Sequence, residues 1–283
     1  MPLTPLPNLI VEPIVRQALI EDLGRAGDIT TDAIAPPDRI TLAAMRSRQA
    51  GVVAGLDVAA LAFRLIDPAI RFTAALPDGA RVKPGATVAT IEGPARGILS
   101  AERVALNFVS RLSGVASATA ALVASVAHTK ARIVCTRKTT PLLRSLEKYA
   151  VRAGGGANHR FGLDDAALIK DNHIAIAGGV AKAIRLVRGH VGHLVKIEVE
   201  VDTLAQLEEA LSERVDAVLL DNMSLDDLRR AVAMIGGRAV SEASGRVNLE
   251  TAPAIASTGV DLISVGWLTH SAPILDIGLD AKV

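Results

Sequence analysis

Two adjacent cations, Arg137 and Lys138, follow an apolar run that is typical of a buried strand, in the segment VCTRKTTP. They are either solvated surface charges or ligands for an anion. The planar guanidinium of arginine fits carboxylate and phosphate oxygens, and lysine adds a mobile point charge. Lys170 ends another apolar run, and Arg132 to His173 holds eight Lys or Arg but only four Asp or Glu. The sequence therefore predicts a local anion-binding site here.

A glycine run in the segment AGGGANHR precedes His159 and Arg160. It lacks the Gly-Lys-Ser/Thr of a P-loop, so we interpret it as a turn that presents these two side chains to an anion. Three further cations, Arg144, Lys148 and Arg152, lie in a predicted helix, and we expect them to be ordinary solvated charges.

Two carboxylates, Glu200 and Asp221, end neighbouring apolar runs, and with Glu242 they recur at intervals of 21 residues. Carboxylates without Cys or His partners suit a magnesium ion that keeps several waters and also binds substrate phosphates. The alternative is a pair of structural acids in salt bridges with Lys170 or Lys138. We expect the magnesium site.

Small residues end the last two apolar runs, in EASG and SVGWLTHS. Ser244, Gly245 and Gly266 leave backbone N–H groups accessible, and barrels often bind a phosphate at the loops after their last strands. The single cysteine, Cys135, excludes a disulfide within the chain, and we assign it no catalytic role.

Strand and helix patterns alternate through the second half of the chain, which predicts βαβ units and a parallel sheet. Six such units favour a closed or nearly closed (β/α) barrel, with its site at the carboxyl ends of the strands. An open doubly wound sheet is the alternative, but no G-x-G-x-x-G follows a strand. The first hundred residues have a mixed α+β pattern, in which we expect two hairpins, around residues 47–51 and around Lys83.

A long helix is predicted from Ala101 to Ala127, with Ser100 as its N-cap. Four of its small or polar residues share one face. That face is either solvated or one wall of a polar site. Its members are Arg103, Asn107, Ser110 and Gly114.

The overall composition excludes several classes of protein. A formal net charge of +1 gives no general attraction to nucleic acid or to an acidic membrane surface. The aromatic content of 2% favours helices on buried strands over a β-sandwich. The N-terminus does not match a secretory signal, and the longest weakly polar run, GVASATAALVASVA, is too short to span a membrane. We therefore expect a soluble cytoplasmic protein.

A series of motifs resembles the quinolinate phosphoribosyltransferase family: TRKTTP, GGGANHRFGLDDAALIKDNH, EVEV, LLDN, EASG and ISVGWLTHSAP. The likeness runs from EDLGRAGDITTDAI to the C-terminus. It implies an incomplete (β/α) barrel over residues 113–267 and a mixed α+β N-terminal domain over 1–112, rejoined by the tail 268–283. It also implies a homodimer or larger homo-oligomer with a shared active site.

This resemblance implies an activity and a set of site residues. The family transfers the phosphoribosyl group of phosphoribosyl pyrophosphate to quinolinate with loss of CO2, using Mg2+, and so makes nicotinate mononucleotide for NAD biosynthesis. The implied quinolinate ligands are Arg103, Thr136, Arg137, His159, Arg160 and Lys170, with Arg48 reaching in from a neighbouring subunit. The implied catalytic residues at the phosphoribosyl donor are Lys138, Glu200 and Asp221, the last two holding magnesium, while Ser244, Gly245 and Gly266 hold the 5′-phosphate.

Two positions depart from the family pattern. Arg246 stands where glycine is usual, and Trp267 stands where a small residue is usual. Both adjoin the predicted phosphate loops. Three alternative functions stay open: a related molybdenum-utilisation protein of the same fold, a Schiff-base lyase using Lys138 or Lys170, and a non-catalytic phosphosugar-binding protein.

Overall fold

The structure is a computed structural model that describes residues 3–282. The chain forms two compact units. The first comprises the chain up to Ala120, Thr139–Gly155 and the tail from Leu268, and the second comprises Ala121–Lys138 and Gly156–Trp267. A long helix runs unbroken through the predicted boundary at residues 112 and 113, so that boundary stays a prediction.

Helices and strands are numbered in chain order. The helices are α1 (Asn8–Leu23), α2 (Ile29–Ile34), α3 (Leu56–Ile66), α4 (Ala95–Ser125), α5 (Arg144–Ala153), α6 (Asp171–Ala177), α7 (Val180–His190), α8 (Leu204–Leu211), α9 (Leu225–Ile235), α10 (Ala252–Ala256) and α11 (Trp267–His270). The strands are β1 (Ile40–Ser47), β2 (Gly51–Val52), β3 (Arg71–Ala74), β4 (Arg81–Val82), β5 (Thr87–Pro94), β6 (Arg132–Val134), β7 (Ala167–Ile169), β8 (Ile197–Val201), β9 (Ala217–Asp221), β10 (Val240–Ser244), β11 (Leu262–Ser264) and β12 (Ile277–Lys282).

The first unit contains an antiparallel sheet in the order β12-β1-β5-β3, so the tail strand β12 pairs with β1 as the resemblance implies. The two predicted hairpins are wrong. β2 pairs with β4 rather than with β1, and β5 pairs with β1 and β3 rather than with β4. A turn does form after Lys83, where the Ala86 N–H donates to the Lys83 carbonyl oxygen at 3.1 Å, but strand pairing is decided by partners distant in sequence, which local turn signals do not report.

Helix α4 begins at Ala95, earlier than predicted, so Ser100 lies inside the helix and is not its N-cap. Its hydroxyl donates instead to Asp28 at 3.0 Å. The helix is long and apolar enough to cross a membrane, but 56% of its most apolar stretch is buried, as in the core helix of a soluble protein. The predicted polar face is divided: Arg103 and Asn107 are exposed, whereas the other two members are buried.

The buried end of that face is packed against the tail. A Cβ atom on Gly114 would lie 2.1 Å from the carbonyl oxygen of Pro273, and the N–H of Leu275 donates to the Ser110 carbonyl oxygen at 3.0 Å. Glycine is therefore needed for this close approach. This part of the face is a packing surface of the first unit.

Helix α5 corrects one expectation about surface charge. Lys148 is 1% exposed, so it is not a solvated cation, although Arg152 is exposed. Its neighbour Glu147 is fully buried and accepts hydrogen bonds from Arg111 at 2.8 Å and from the Thr140 hydroxyl at 2.7 Å. The buried charge of Glu147 is therefore paired with that of Arg111, as burial requires.

The second unit is an incomplete α/β barrel, as predicted. Its parallel strands lie in the order β6-β11-β10-β9-β8-β7. From β7 to β11 each strand lies beside the next one in sequence, which is the order of a barrel and not of a doubly wound sheet. Within residues 3–282, the edge strands β6 and β7 are not paired with each other, although Val134 forms a parallel bridge to Ala157. The carboxyl ends of all six strands therefore meet at one rim.

Candidate active site

Alternate residues of the barrel strands point to one face, because successive side chains of a strand point in opposite directions. The strand register aligns Glu200 on β8 and Glu242 on β10 with the same residue of β9, Leu219. One layer nearer the carboxyl ends, Asp221 is paired with Ser244. The 21-residue recurrence in the sequence thus becomes a set of carboxylates on neighbouring strands.

A cavity of about 420 Å³ lies at this rim of the second unit. Nine of the predicted site residues line it: Thr136, Arg137, Lys138, His159, Arg160, Lys170, Glu200, Asp221 and Ser244. Its remaining lining residues are Leu168, Leu219, Glu242 and Ser264. Gly245 follows strand β10 directly and Gly266 lies two residues after the end of β11, although neither lines the cavity.

The cations converge from three separate segments of the second unit. Arg137 and Lys138 follow β6, Arg160 precedes β7, and Lys170 lies between β7 and α6. Burial, and then the neighbouring charge of Arg137, lower the pKa of Arg160, and its guanidinium donates to the Ala166 carbonyl oxygen at 3.1 Å. Two like charges held this close favour an anion between them.

The acids Glu200 and Asp221 lie on adjacent strands, as predicted. Glu200 accepts a hydrogen bond from the Lys170 ammonium at 2.5 Å, so the salt bridge considered as the alternative to a metal site is formed. Asp221 accepts from the side-chain amide of Asn222 at 2.6 Å. Two carboxylates in a cavity that is also lined by cations fit magnesium, which commonly takes one or two carboxylates and completes its shell with water and substrate phosphate.

A half-buried histidine and two buried glutamates lie in the same rim, and sequence reasoning gave the glutamates no role in the site. Nδ1 of His159 accepts the backbone N–H of Arg160 at 2.7 Å, so the neutral ring carries its proton on Nε2. Nε2 lies 2.8 Å from Glu198 and 3.6 Å from Glu242. Burial and then the charge of Glu198 raise the pKa of Glu242 to about 7, against opposing interactions with His159 and Ser264.

The predicted phosphate loops show why these positions favour glycine. Gly245 has a φ of +100°, and a Cβ atom there would lie 2.2 Å from the side-chain oxygen of Asn222. Arg246 has a φ of +50°, in the left-handed region that glycine occupies without strain. The indole N–H of Trp267 donates to the Val247 carbonyl oxygen at 2.9 Å, so this unusual tryptophan ties the end of one loop to the other.

Two predicted ligands, Arg48 and Arg103, belong to the first unit. Arg48 pairs with Asp280 of β12 at 2.5 Å, and Arg103 is exposed on α4. Their contact with quinolinate stays a prediction that rests on the resemblance. The residues that sequence reasoning missed, Glu198 and Glu242, could have been found from the period of two, because each precedes a predicted site residue, Glu200 or Ser244, by two positions.

The fold and this site define a class. The second unit is an α/β-barrel enzyme domain with clustered cations for an anionic substrate, paired acids, and glycine-containing loops after its last strands. The sequence model of the quinolinate phosphoribosyl transferase N-terminal domain matches residues 28–113, and that of the C-terminal domain matches residues 115–280. The chain belongs to the quinolinate phosphoribosyltransferase family.

Individual relatives agree over nearly the full length. The nicotinate-nucleotide pyrophosphorylase [carboxylating] of Mycobacterium leprae is 48% identical over 271 residues, covering 94% of this chain and 95% of the relative. The solved structure of NadC from Streptococcus pyogenes has a TM-score of 0.94 and 42% identity, covering 99% of this chain and 100% of that one. The structure of the nicotinate-nucleotide pyrophosphorylase from Francisella tularensis has a TM-score of 0.95 and 39% identity, covering 100% and 99%.

Proposed function

We propose that this protein transfers the phosphoribosyl group of phosphoribosyl pyrophosphate to quinolinate and releases CO2, pyrophosphate and nicotinate mononucleotide. The observation that carries the proposal is the convergence of cations and acids on one cavity at the barrel rim. The names of the full-length relatives support the same reaction and do not favour a molybdenum-related role.

The cations of the cavity are suited to a dicarboxylate. In this proposal Arg137, Arg160 and Lys170 hold the two carboxylates of quinolinate by charge-assisted hydrogen bonds, and His159 and Thr136 line the same cavity. The salt bridge between Lys170 and Glu200 holds the ammonium group at the cavity until a substrate carboxylate competes for it. The resemblance adds Arg103 and, from a second copy of the chain in a homodimer or larger homo-oligomer, Arg48.

The acids and the remaining lysine are suited to the phosphoribosyl donor. The pyridine nitrogen attacks C1′ of the sugar, and the bond from C1′ to pyrophosphate breaks. Glu200 and Asp221 stabilise the positive charge that develops on the sugar, and Lys138 stabilises the negative charge on the leaving pyrophosphate. Mg2+, held by Glu200, Asp221 and the donor's phosphates, would supply further charge neutralisation at the pyrophosphate. Backbone N–H groups near Ser244, Gly245 and Gly266 bind the 5′-phosphate.

The loss of CO2 follows from the first step. Quaternising the ring nitrogen turns the pyridine ring into an electron sink, so the carboxylate at C2 can leave without an organic cofactor. Part of the cavity wall is buried, which lowers the local dielectric constant and strengthens the attraction between the cations and the substrate.

The direct test mixes the protein with Mg2+, quinolinate and phosphoribosyl pyrophosphate and follows quinolinate loss, CO2 and pyrophosphate. We expect the three to change in a ratio of one to one to one, with nicotinic acid inactive as the control. Turnover of nicotinic acid but not of quinolinate would overturn the assignment. Borohydride trapping of Lys138 or Lys170 with a keto substrate would indicate the Schiff-base alternative. Binding of the donor without pyrophosphate release would indicate a binding protein.

We also propose a cytoplasmic location, supported by the single cysteine and by the buried packing of α4.

A further inference from the structure

The reaction proposed above consumes a proton. When CO2 leaves, the bond between C2 and the carboxylate breaks and both of its electrons stay on C2, next to the positively charged ring nitrogen. The product carries hydrogen at that carbon, so an acid must deliver a proton to it. The cations of the cavity are needed in charged form to hold carboxylates, which leaves the acidic residues of the cavity floor as the source.

The buried cluster at the floor contains two carboxyl groups that hydrogen bonding distinguishes. His159 has its proton on Nε2, because Nδ1 accepts the Arg160 N–H. That Nε2–H donates to Glu198 at 2.8 Å, so Glu198 is the carboxyl group that accepts the hydrogen bond of the histidine. Glu242 lies farther from Nε2, at 3.6 Å, beyond hydrogen-bond distance.

Glu242 has the surroundings expected of a carboxyl group that stays protonated. It is 1% exposed, it lines the substrate cavity, and within the described residues its Oε1 has no hydrogen-bond partner. A buried carboxylate with an oxygen that lacks a hydrogen bond is costly, and the neutral carboxylic acid costs much less. The carboxyl oxygens of Glu198 and Glu242 and Nε2 of His159 all lie within 4.8 Å of one another, so two negative charges here would repel.

We propose that Glu242 is the acid that protonates C2 of the pyridine ring after CO2 has left, an inference that rests on the proposed function. The electron pair on C2 takes the proton of the Glu242 carboxyl group, and the resulting carboxylate regains a proton from solvent through the cavity mouth. Glu198 and His159 are positioning residues, because their hydrogen bond leaves the proton on Glu242.

The pKa of Glu242 supports this role, because it is about 7 and the group is therefore protonated below that pH. The titratable and charged groups that surround it are Glu198 from β8, His159 from the segment before β7, and the other charged residues that line the cavity, Arg137, Lys138, Arg160, Lys170, Glu200 and Asp221. Since the acid acts in its protonated form, the protonation step should slow as the pH rises above about 7.

A single-turnover experiment on the full chain tests the assignment with Glu242→Gln, which keeps the shape of the side chain and removes the acid. Glu250→Gln, at an exposed position, is the control for the same chemical change. We expect Glu242→Gln to release pyrophosphate at the wild-type rate but to form nicotinate mononucleotide about a hundredfold more slowly, the usual contribution of a general acid. Until C2 is protonated, CO2 can add back to its electron pair, so the carboxylated mononucleotide should accumulate between the two steps, and the decline above pH 7 should be absent.

Three results would overturn the inference: equal rates of both steps in the variant and the wild type, equal slowing of both steps, or a change confined to the KM for quinolinate. If Glu242→Gln does not fold, Glu242→Asp keeps an acid one methylene shorter, and we expect it to retain the alkaline decline with a smaller loss of rate. Glu242→Asp without that decline would also contradict the inference. A wild-type protein that makes no nicotinate mononucleotide would instead refute the proposed function itself.

Discussion

Gly245 provides the sharpest test of how the barrel rim is built. Its φ of +100° lies in a region that side chains other than glycine rarely occupy, and replacement by alanine should cost roughly 1–3 kcal/mol for the backbone alone. The added Cβ would also lie 2.2 Å from the Asn222 side-chain oxygen and 3.1 Å from the Asn222 backbone nitrogen. Overpacking of this kind costs about 1–3 kcal/mol more. We therefore expect Gly245→Ala to lower the free energy of unfolding by about 2–6 kcal/mol.

The same substitution should weaken donor binding, because Asn222 must move and its 2.6 Å hydrogen bond to Asp221 is then lost. A hydrogen bond to a charged group contributes about 1.5–3 kcal/mol, so the KM for phosphoribosyl pyrophosphate should rise about ten- to a hundredfold. Gly237→Ala is the matched control, since Gly237 has a φ of +76° with nothing within 4 Å of its Cβ position. Urea unfolding and steady-state kinetics measure both effects. Equal stability of the two variants, with an unchanged KM in Gly245→Ala, would refute the reasoning.

Four further predictions concern separate parts of the molecule. Arg137→Ala should reduce kcat/KM for quinolinate about ten- to a hundredfold by removing a charge-assisted hydrogen bond of about 1.5–3 kcal/mol, and unchanged kinetics would remove Arg137 from the site. Glu147→Gln should lower the free energy of unfolding by about 3–5 kcal/mol in urea titrations, because it leaves the partly buried Arg111 without a carboxylate partner; a loss below about 1 kcal/mol would show that the buried pair matters little. Arg246→Gly should stabilise the fold by up to about 1 kcal/mol by relieving its positive φ, and an accompanying rise in the KM for phosphoribosyl pyrophosphate would show that the arginine binds phosphate. Chelation of divalent cations with EDTA should abolish turnover and added Mg2+ should restore it, whereas full activity in EDTA would exclude the magnesium site.

The barrel could be predicted from the sequence because its signal is periodic. Apolar runs alternate with helices, and the spacing between Glu200 and Asp221 equals one βα unit, so both acids fall at the same edge of the sheet. The strand ends then predicted most of the cavity lining, including Arg137 and Lys170. The strand pairing of the first unit was harder to predict from the sequence, because β2 and β4 are two residues long and pair with partners that no local pattern identifies.

Sequence reasoning also failed to predict which polar residues are buried. Lys148 and Glu147 have the local pattern of helix-surface charges, since nothing near them in the sequence shows that α5 is packed into the first unit. Glu242 was visible in the 21-residue recurrence. Its burial and its distance from His159 depend instead on how β10 and the segment before β7 come together in the folded barrel. Its chemical role follows from those distances and not from its place in the sequence.

The most direct measurement of charge recognition at the barrel rim is a crystal structure with quinolinate and an unreactive analogue of phosphoribosyl pyrophosphate bound. We predict that the two carboxylates of quinolinate lie within hydrogen-bond distance of Arg137, Arg160 or Lys170, and that the pyrophosphate lies beside Glu200 and Asp221 with Mg2+ between them. Quinolinate bound away from the 420 Å³ cavity, or bound there without contact to any of these cations, would contradict the account.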